Sequence, residues 1–262
     1  MFTHSNIHKE KGILNLGLIG RKLSHSFSKK YFEEKYGIST YELIELDTIG
    51  ELPEAVERLD LNGFNVTIPY KCDIIPLLDK IDPSAHEIGA VNTVVRYKKD
   101  DNRWGLYGYN TDAPAFRDTL QPHLLPHHRH ALILGSGGAS RAVAWALGQL
   151  GIEYQIVSRS PLSHPATISY DKARELVAGG DYTVIVNTTP VGMYPVCDAT
   201  PWPWTELIGS QHLCYDLIYN PSPTLFLEQA AGRGAKTIDG LAMLHRQADL
   251  ALEIWERAYN NN

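Results

Sequence analysis

Two stretches of this sequence carry residues whose types and spacing can do chemistry. The first is GFNVTIPYK, residues 63 to 71, where a β-branched alternation runs through Pro69 into Lys71. Val66 and Ile68 alternate with Asn65 and Thr67, which predicts a strand with one packed face and one hydrogen-bonding face. Lys71 then falls at the C-terminal end of a strand, where open α/β sheets hold their ligands, and an ammonium there can deliver a proton. The second is a glycine turn, in which Gly135, Ser136, Gly137 and Gly138 follow the apolar run ALIL and precede a helix starting near Ala139. Glycines allow the tight turn and let backbone N–H groups approach a pyrophosphate at the helix N-terminus.

The turn is an imperfect GxGxxG, with Ser140 in the third glycine's place. Strand, turn, helix and second strand together nevertheless fill about the thirty residues of a dinucleotide-binding βαβ unit. That second strand, YQIVSRS, ends in Ser158, Arg159 and Ser160 rather than in an acid that would hold both ribose hydroxyls of NAD. An arginine between two hydroxyls suits a 2′-phosphate, so the cofactor expected is NADP. The alternative for Arg159 is a solvated charge at a strand end.

The elements that must position these groups alternate. NLGLIG, YELIEL and GFNVTIP read as strands, separated by the helix-like SFSKKYFEEKYG and GELPEAVERL, the sign of βαβ units. VNTVVRY and RWGLYGYN flank the turn-forming KKDDN and read as a hairpin added to that sheet. From HALILG onward the strands are more uniformly apolar, as in a parallel sheet covered on both faces. In the last segment, Leu241, Leu244, Ala248, Leu252 and Trp255 recur at helical spacing. The expected class is α/β, with an N-terminal α/β substrate domain over 1–110, completed by the C-terminal helix 239–262, and a Rossmann-like NADP-binding domain over 111–238.

Composition narrows the function. The chain has 262 residues, 44% hydrophobic, with 24 basic against 30 acidic side chains and a net charge of −6. No block of like charge suggests a nucleic-acid or membrane partner. The polar start MFTHSNIHKEKG lacks the apolar core of a signal peptide. Three widely spaced cysteines, 72, 197 and 214, suggest neither a disulfide framework nor a zinc site, and suit the cytoplasm. The histidine-rich PHLLPHHRH at 122–130 has no acidic or cysteine partners nearby and reads as a solvated connector rather than a metal site.

The segments LSHSFS, NVTIPYK, GAVNT, GYNTDA, GSGGASRA, DLIYNPSPT and DGLAMLHRQA occur in this order. In them the chain closely resembles the shikimate dehydrogenase family from about residue 15 to 257. The resemblance implies reversible NADPH-dependent reduction of 3-dehydroshikimate to shikimate in aromatic amino acid biosynthesis. It also implies a C-terminal helix that returns to the first domain, and a substrate cleft between domains. It assigns Lys71 and Asp112 as catalytic. Ser26 and Ser28 would bind the substrate carboxylate, and Thr67, Asn92, Tyr219 and Gln247 the ring hydroxyls together with Asp112. Gly135 to Ala139, Ser158 to Ser160, Leu217 and Gly240 would hold the cofactor. No metal is implied, and the assembly expected is a monomer or homodimer.

Each residue also has a plainer use. Ser26 and Ser28 suit caps for the helix that follows, and Asp112 an N-cap for APAFRDTL. Asn92 could satisfy local backbone groups. Tyr219 suits a strand aromatic, Gln247 the edge of a helix stripe and Cys72 a small buried hydrophobe. The chain departs from the family pattern at Lys29, Tyr109, Ala113, Ser158 and Leu217, and has Ser163 and His164 where a second basic residue is common. Two other functions fit fewer residues. A quinate/shikimate dehydrogenase using NAD lacks its acid after YQIVS, and a non-catalytic shikimate-binding sensor leaves Lys71 and Asp112 unused.

Overall fold

A computed structural model describes residues 14–23, 26–160 and 167–261. The chain forms two compact units, one of Met1–Pro83, Val91–Tyr109 and Ala251–Asn262, the other of Ser84–Ala90 and Asn110–Leu250. Among the described residues no helix is long and apolar enough to cross a membrane. Ser163 and His164 lie outside the described residues.

The first unit contains β1 (Leu16–Gly20), α1 (Ser28–Tyr36), β2 (Tyr41–Glu45), α2 (Leu52–Arg58), β3 (Gly63–Val66) and β4 (Lys80–Ile81). After α3 (Pro83–Ile88), most of which belongs to the second unit, come β5 (Thr93–Lys98) and β6 (Trp104–Tyr109). The sheet order is β2-β1-β3-β5-β6-β4. β1 runs parallel to β2 and β3, while β5 is antiparallel to both β3 and β6. The hairpin expected around KKDDN is therefore present. It closes through Asn102, at a φ of 63° that asparagine tolerates better than most residues.

One expectation for this sheet is corrected. β3 stops at Val66, Ile68 is 74% exposed, and Asn65 is buried at 4%. The alternation in GFNVTIP is thus not a packed face opposite an open one. Asn65 lies inside because three polar groups satisfy it: its Nδ2 donates to the Asn92 carbonyl and the Thr93 hydroxyl, and its Oδ1 accepts from Tyr41. A buried amide with its hydrogen bonds made no longer carries the desolvation cost that pattern reading assumes.

The second unit contains α4 (Asp112–Leu120), β7 (His130–Leu134), α5 (Gly138–Gln149), β8 (Glu153–Val157), β9 (Thr167–Ile168) and α6 (Tyr170–Ala178). β10 (Tyr182–Asn187), β11 (Leu213–Asp216), α7 (Leu225–Gly232), β12 (Lys236–Ile238) and α8 (Leu241–Asn261) follow. All its strands are parallel, in the order β12-β11-β10-β7-β8-β9. Counted within the unit this is 3-2-1-4-5-6 read from the other edge, the doubly wound order, with its switch point between β7 and β10. Both faces are covered, as the apolar strands require. Ala131, Ile133, Val184 and Val186 pack with α4 and α5, while Leu132, Leu134 and Ile185 pack with α6, α7 and Trp202.

Helix α8 divides its residues between the units, the first unit taking Ala251 onward. There Trp255 is 2% exposed, lies over Phe32 and Tyr41 at ring distances of 5.7 and 6.4 Å, and donates its indole N–H to Val94 O. Gly63 makes room for it: a Cβ at that position would meet the indole at 2.4 Å.

Candidate active site

In the first unit, Lys71 follows the end of β3 in a run of turns. Thr67 N–H donates to Ile19 O, Tyr70 N–H to Thr67 O and Ile74 N–H to Tyr70 O. Tyr70 is 2% exposed and its hydroxyl donates to Leu46 O at 2.6 Å, so the residue beside the lysine is an anchor. Val91 N–H donates to Lys71 O at 2.8 Å, and Val66 N–H to Asn92 O at 2.8 Å. These bonds bring Thr67, half-buried Lys71 and buried Asn92 together across neighbouring segments. Cys72, next to the lysine, is half-buried rather than buried.

A buried relay ties Ser28 to this group. Ser28 hydrogen-bonds the Tyr41 hydroxyl, which donates to Asn65 Oδ1 at 2.8 Å, and Asn65 Nδ2 in turn reaches Asn92 O. Burial raises the Tyr41 phenol well above its ordinary range, so it stays a neutral donor. Phe27 is the N-cap of α1 and Ser28 its first residue, while Ser26, one place earlier, accepts the Ser28 N–H at its Oγ at 3.3 Å. Tyr41 and Asn65 were missed by sequence reasoning. The only signal for Asn65 was its polar type inside an apolar run.

In the second unit, Asp112 opens α4 and is 7% exposed. The helix-end amide of Ala113 is accepted by Asn110 Oδ1 at 3.0 Å, with Asn110 Nδ2 donating to Ala90 O. The N-cap is Thr111, not the aspartate, and Asn110, one place earlier, satisfies this helix-end amide. Tyr219 lies beyond β11, not in it, and burial raises its phenol. Gln247, half-buried on α8, donates to Leu244 O.

The glycine turn occupies the switch point. Gly135 has a φ of 106°, and a Cβ there would meet Thr189 Cγ2 at 2.8 Å and Thr188 Oγ1 at 2.9 Å, so only glycine fits. Gly137 is the N-cap of α5, and a Cβ on it would face open space, leaving backbone N–H groups accessible at the helix start. Ser140, in the third glycine's place, is buried and donates its hydroxyl to Gly137 O at 2.6 Å. The departure from GxGxxG therefore braces the turn. Ser158 to Ser160 leave the end of β8, with Ser160 N–H donating to Ser158 Oγ and Arg159 exposed. Gly240 touches Leu217 backbone to backbone, joining two of the expected cofactor positions.

Asp216, not singled out from the sequence, ends β11 fully buried, and burial pushes its carboxyl up to about 6. Among the described residues no group of three His, Cys, Asp or Glu is arranged to hold a metal ion.

A doubly wound parallel sheet with a glycine turn at its switch point defines an α/β protein of the dinucleotide-binding class. A sequence model described as the shikimate dehydrogenase substrate binding domain matches residues 18–94. A shikimate dehydrogenase (NADP(+)) from Carboxydothermus hydrogenoformans is 38% identical over 258 residues, covering 91% of this chain and 90% of that protein. The solved chorismate mutase/shikimate 5-dehydrogenase fusion protein from Clostridium acetobutylicum superimposes with a TM-score of 0.80 at 35% identity, over 94% and 92% of the two chains. Shikimate 5-dehydrogenase from Thermus thermophilus, solved in complex with NADP(H) and shikimate, gives 0.77 at 33% identity, over 95% and 99%. The chain belongs to the shikimate dehydrogenase family.

Proposed function

We propose that this protein is an NADP-dependent shikimate dehydrogenase, interconverting 3-dehydroshikimate and shikimate in the cytoplasm. The observation that carries the reading is the fixed turn holding Lys71, its carbonyl tied to Val91 beside the buried Asn92. Ketone reduction needs a hydride on one face and a proton at the oxygen as negative charge develops there. The hydride would come from NADPH when it is bound. The Lys71 ammonium donates the proton to the carbonyl oxygen, and in the reverse direction the neutral amine takes it from the hydroxyl. Asp112 accepts a substrate hydroxyl, Thr67, Asn92, Tyr219 and Gln247 orient the ring, and Ser26 and Ser28 hold its carboxylate.

The glycine turn fits the cofactor, since Gly137 leaves open space at the start of a twelve-residue helix. Its backbone N–H groups, Ser136 and Ala139 would take the pyrophosphate, and Arg159 with Ser158 and Ser160 the 2′-phosphate.

The test is initial-rate oxidation of shikimate and quinate with NADP and NAD, with Lys71→Ala beside wild type. Shikimate with NADP should dominate, and the variant should lose roughly 10²- to 10⁴-fold in kcat with a much smaller change in KM. Comparable kcat in variant and wild type would remove Lys71 from the chemistry. A wild type that binds shikimate but turns over none of the four combinations is a sensor, not a dehydrogenase.

A further inference from the structure

Asp216 and Asn187 are the last residues of β11 and β10, paired across the parallel ladder, and neither exposes any surface. The aspartate accepts three hydrogen bonds. Its Oδ1 takes Ile218 N–H at 3.0 Å and Asn187 Nδ2 at 2.9 Å, and its Oδ2 takes the Thr224 hydroxyl at 2.7 Å. A carboxylate accepts only, so it takes the NH₂ of Asn187, which also reaches Val191 O at 3.4 Å in the loop beyond β10, and leaves Asn187 Oδ1 to accept from that loop. That oxygen accepts both the N–H and the hydroxyl of Thr189. Thr188 and Thr189 close over Gly135, where a Cβ would touch both.

On the other side, Leu217 N–H donates to Asn187 O, and Ile218 O accepts Gly240 N–H. Thr224 caps α7, its Oγ accepting from Leu227. One buried group therefore joins the loop that packs on the glycine turn, the segment 217–219 and the approach to α7. Its side-chain hydrogen bonds go to Asn187, Ile218 and Thr224, none of them a residue expected to hold the ring or the phosphates.

We propose that Asp216 is a positioning residue, which sets the spacing between the 188–191 loop and the 217–219 segment and thereby places Leu217 and Tyr219 against nicotinamide and substrate. The assignment rests on the proposed NADP chemistry. Its consequence is selective. The adenosine end, held by the glycine turn and Arg159, stays bound when Asp216 is changed, whereas alignment of the hydride donor is lost, and misplacement of about 1 Å costs roughly 10²-fold in rate.

The test compares Asp216→Ala, Asp216→Asn and Thr224→Val with wild type for kcat, KM, NADPH affinity, and the isotope effect with NADPH deuterated at the transferred position. Asp216→Ala should lose roughly 10- to 100-fold in kcat while NADPH affinity changes less than about threefold, and its isotope effect should rise. Asp216→Asn keeps an oxygen acceptor and should restore most of kcat. A folded Asp216→Ala enzyme with wild-type kcat and isotope effect overturns the proposal, as does an equal fall in NADPH affinity and kcat. If Asp216→Ala does not fold, Thr224→Val decides: it removes one partner, and an unchanged kcat and isotope effect overturns the proposal. Fluorescence of bound NADPH reports nicotinamide placement without turnover. A wild type silent on shikimate therefore counts against the proposed reaction alone, while an unchanged spectrum in Asp216→Ala counts against the positioning role.

Discussion

Gly240 lies so close to Leu217 that a Cβ on the glycine would stand 2.0 Å from the Leu217 carbonyl oxygen and 2.5 Å from its carbonyl carbon. The obstacle is backbone, which cannot rotate aside, and the Gly240 N–H is already committed to Ile218 O at 3.0 Å. Gly240→Ala should therefore push segment 217–219 outward. Overpacking of this kind costs about 1–3 kcal/mol. Thermal unfolding should show that loss, and kcat should fall at least as steeply as stability because the displaced residues are those proposed to face the nicotinamide. An alanine variant with wild-type melting temperature and rate would mean that the contact relaxes elsewhere.

The proposed role of Arg159 in cofactor choice can be tested directly. It is exposed at the end of β8 with a hydroxyl on either side, and charge-assisted hydrogen bonds of this type contribute about 1.5–3 kcal/mol. Arg159→Gln should raise KM for NADP by roughly 10- to 100-fold, on the basis that about 1.4 kcal/mol is a tenfold change, while leaving KM for NAD nearly unchanged. Steady-state titrations with each dinucleotide measure this directly. Equal increases for both would place Arg159 in general charge steering rather than in phosphate recognition.

The parts of this molecule that sequence reveals are those governed by local rules. The glycine turn, the KKDDN hairpin and the uniformly apolar parallel strands follow from backbone sterics and from burial on two faces, and each is written in a few adjacent residues. The burial of Asn65 is not legible locally because it is decided by Tyr41, Asn92 and Thr93, residues 24 to 28 positions away. Asp216 stayed hidden for the same reason: nothing in DLIYN says that its carboxyl will be satisfied by Asn187 and Thr224. The histidine connector reads as solvated and is so for most of its length, the exception being His128, which is only 6% exposed. Its role depends on Gln211, a residue distant in sequence.

The attachment of α8 to the first unit can be tested at Trp255. Its indole is buried against Phe32, donates to Val94 O at 2.9 Å, and fills the space that Gly63 leaves. Trp255→Ala opens a cavity and strips a carbonyl of its donor, at a cost of about 3–5 kcal/mol. Gly63→Ala should destabilise through the opposite fault, a Cβ driven into the ring. Urea unfolding should show lower midpoints for both. Their combination should be less than additive, because an alanine at 63 no longer meets an indole.

Acid should act through two buried histidines. His128 Nδ1 accepts Leu125 N–H at 3.0 Å and its Nε2 lies 3.2 Å from Gln211 O, so the neutral ring carries its proton on Nε2. His212 likewise accepts Gly209 N–H at Nδ1 and is 2% exposed. Charging either ring requires breaking a backbone hydrogen bond. Burial holds both below the ordinary histidine value, and His127 lowers them further. The unfolded chain therefore takes up protons first, so stability is complete above about pH 6.5 and declines as pH falls below it. Asp216, raised to about 6, acts in the opposite sense over part of that range, since the folded state gains as its carboxyl is neutralised. A variant comparison separates the two. His128→Asn with His212→Asn keeps an acceptor near each Nδ1 position without titrating there, so its melting temperature should fall less between about pH 7 and pH 5 than that of wild type. Parallel slopes would assign the acid loss to other groups.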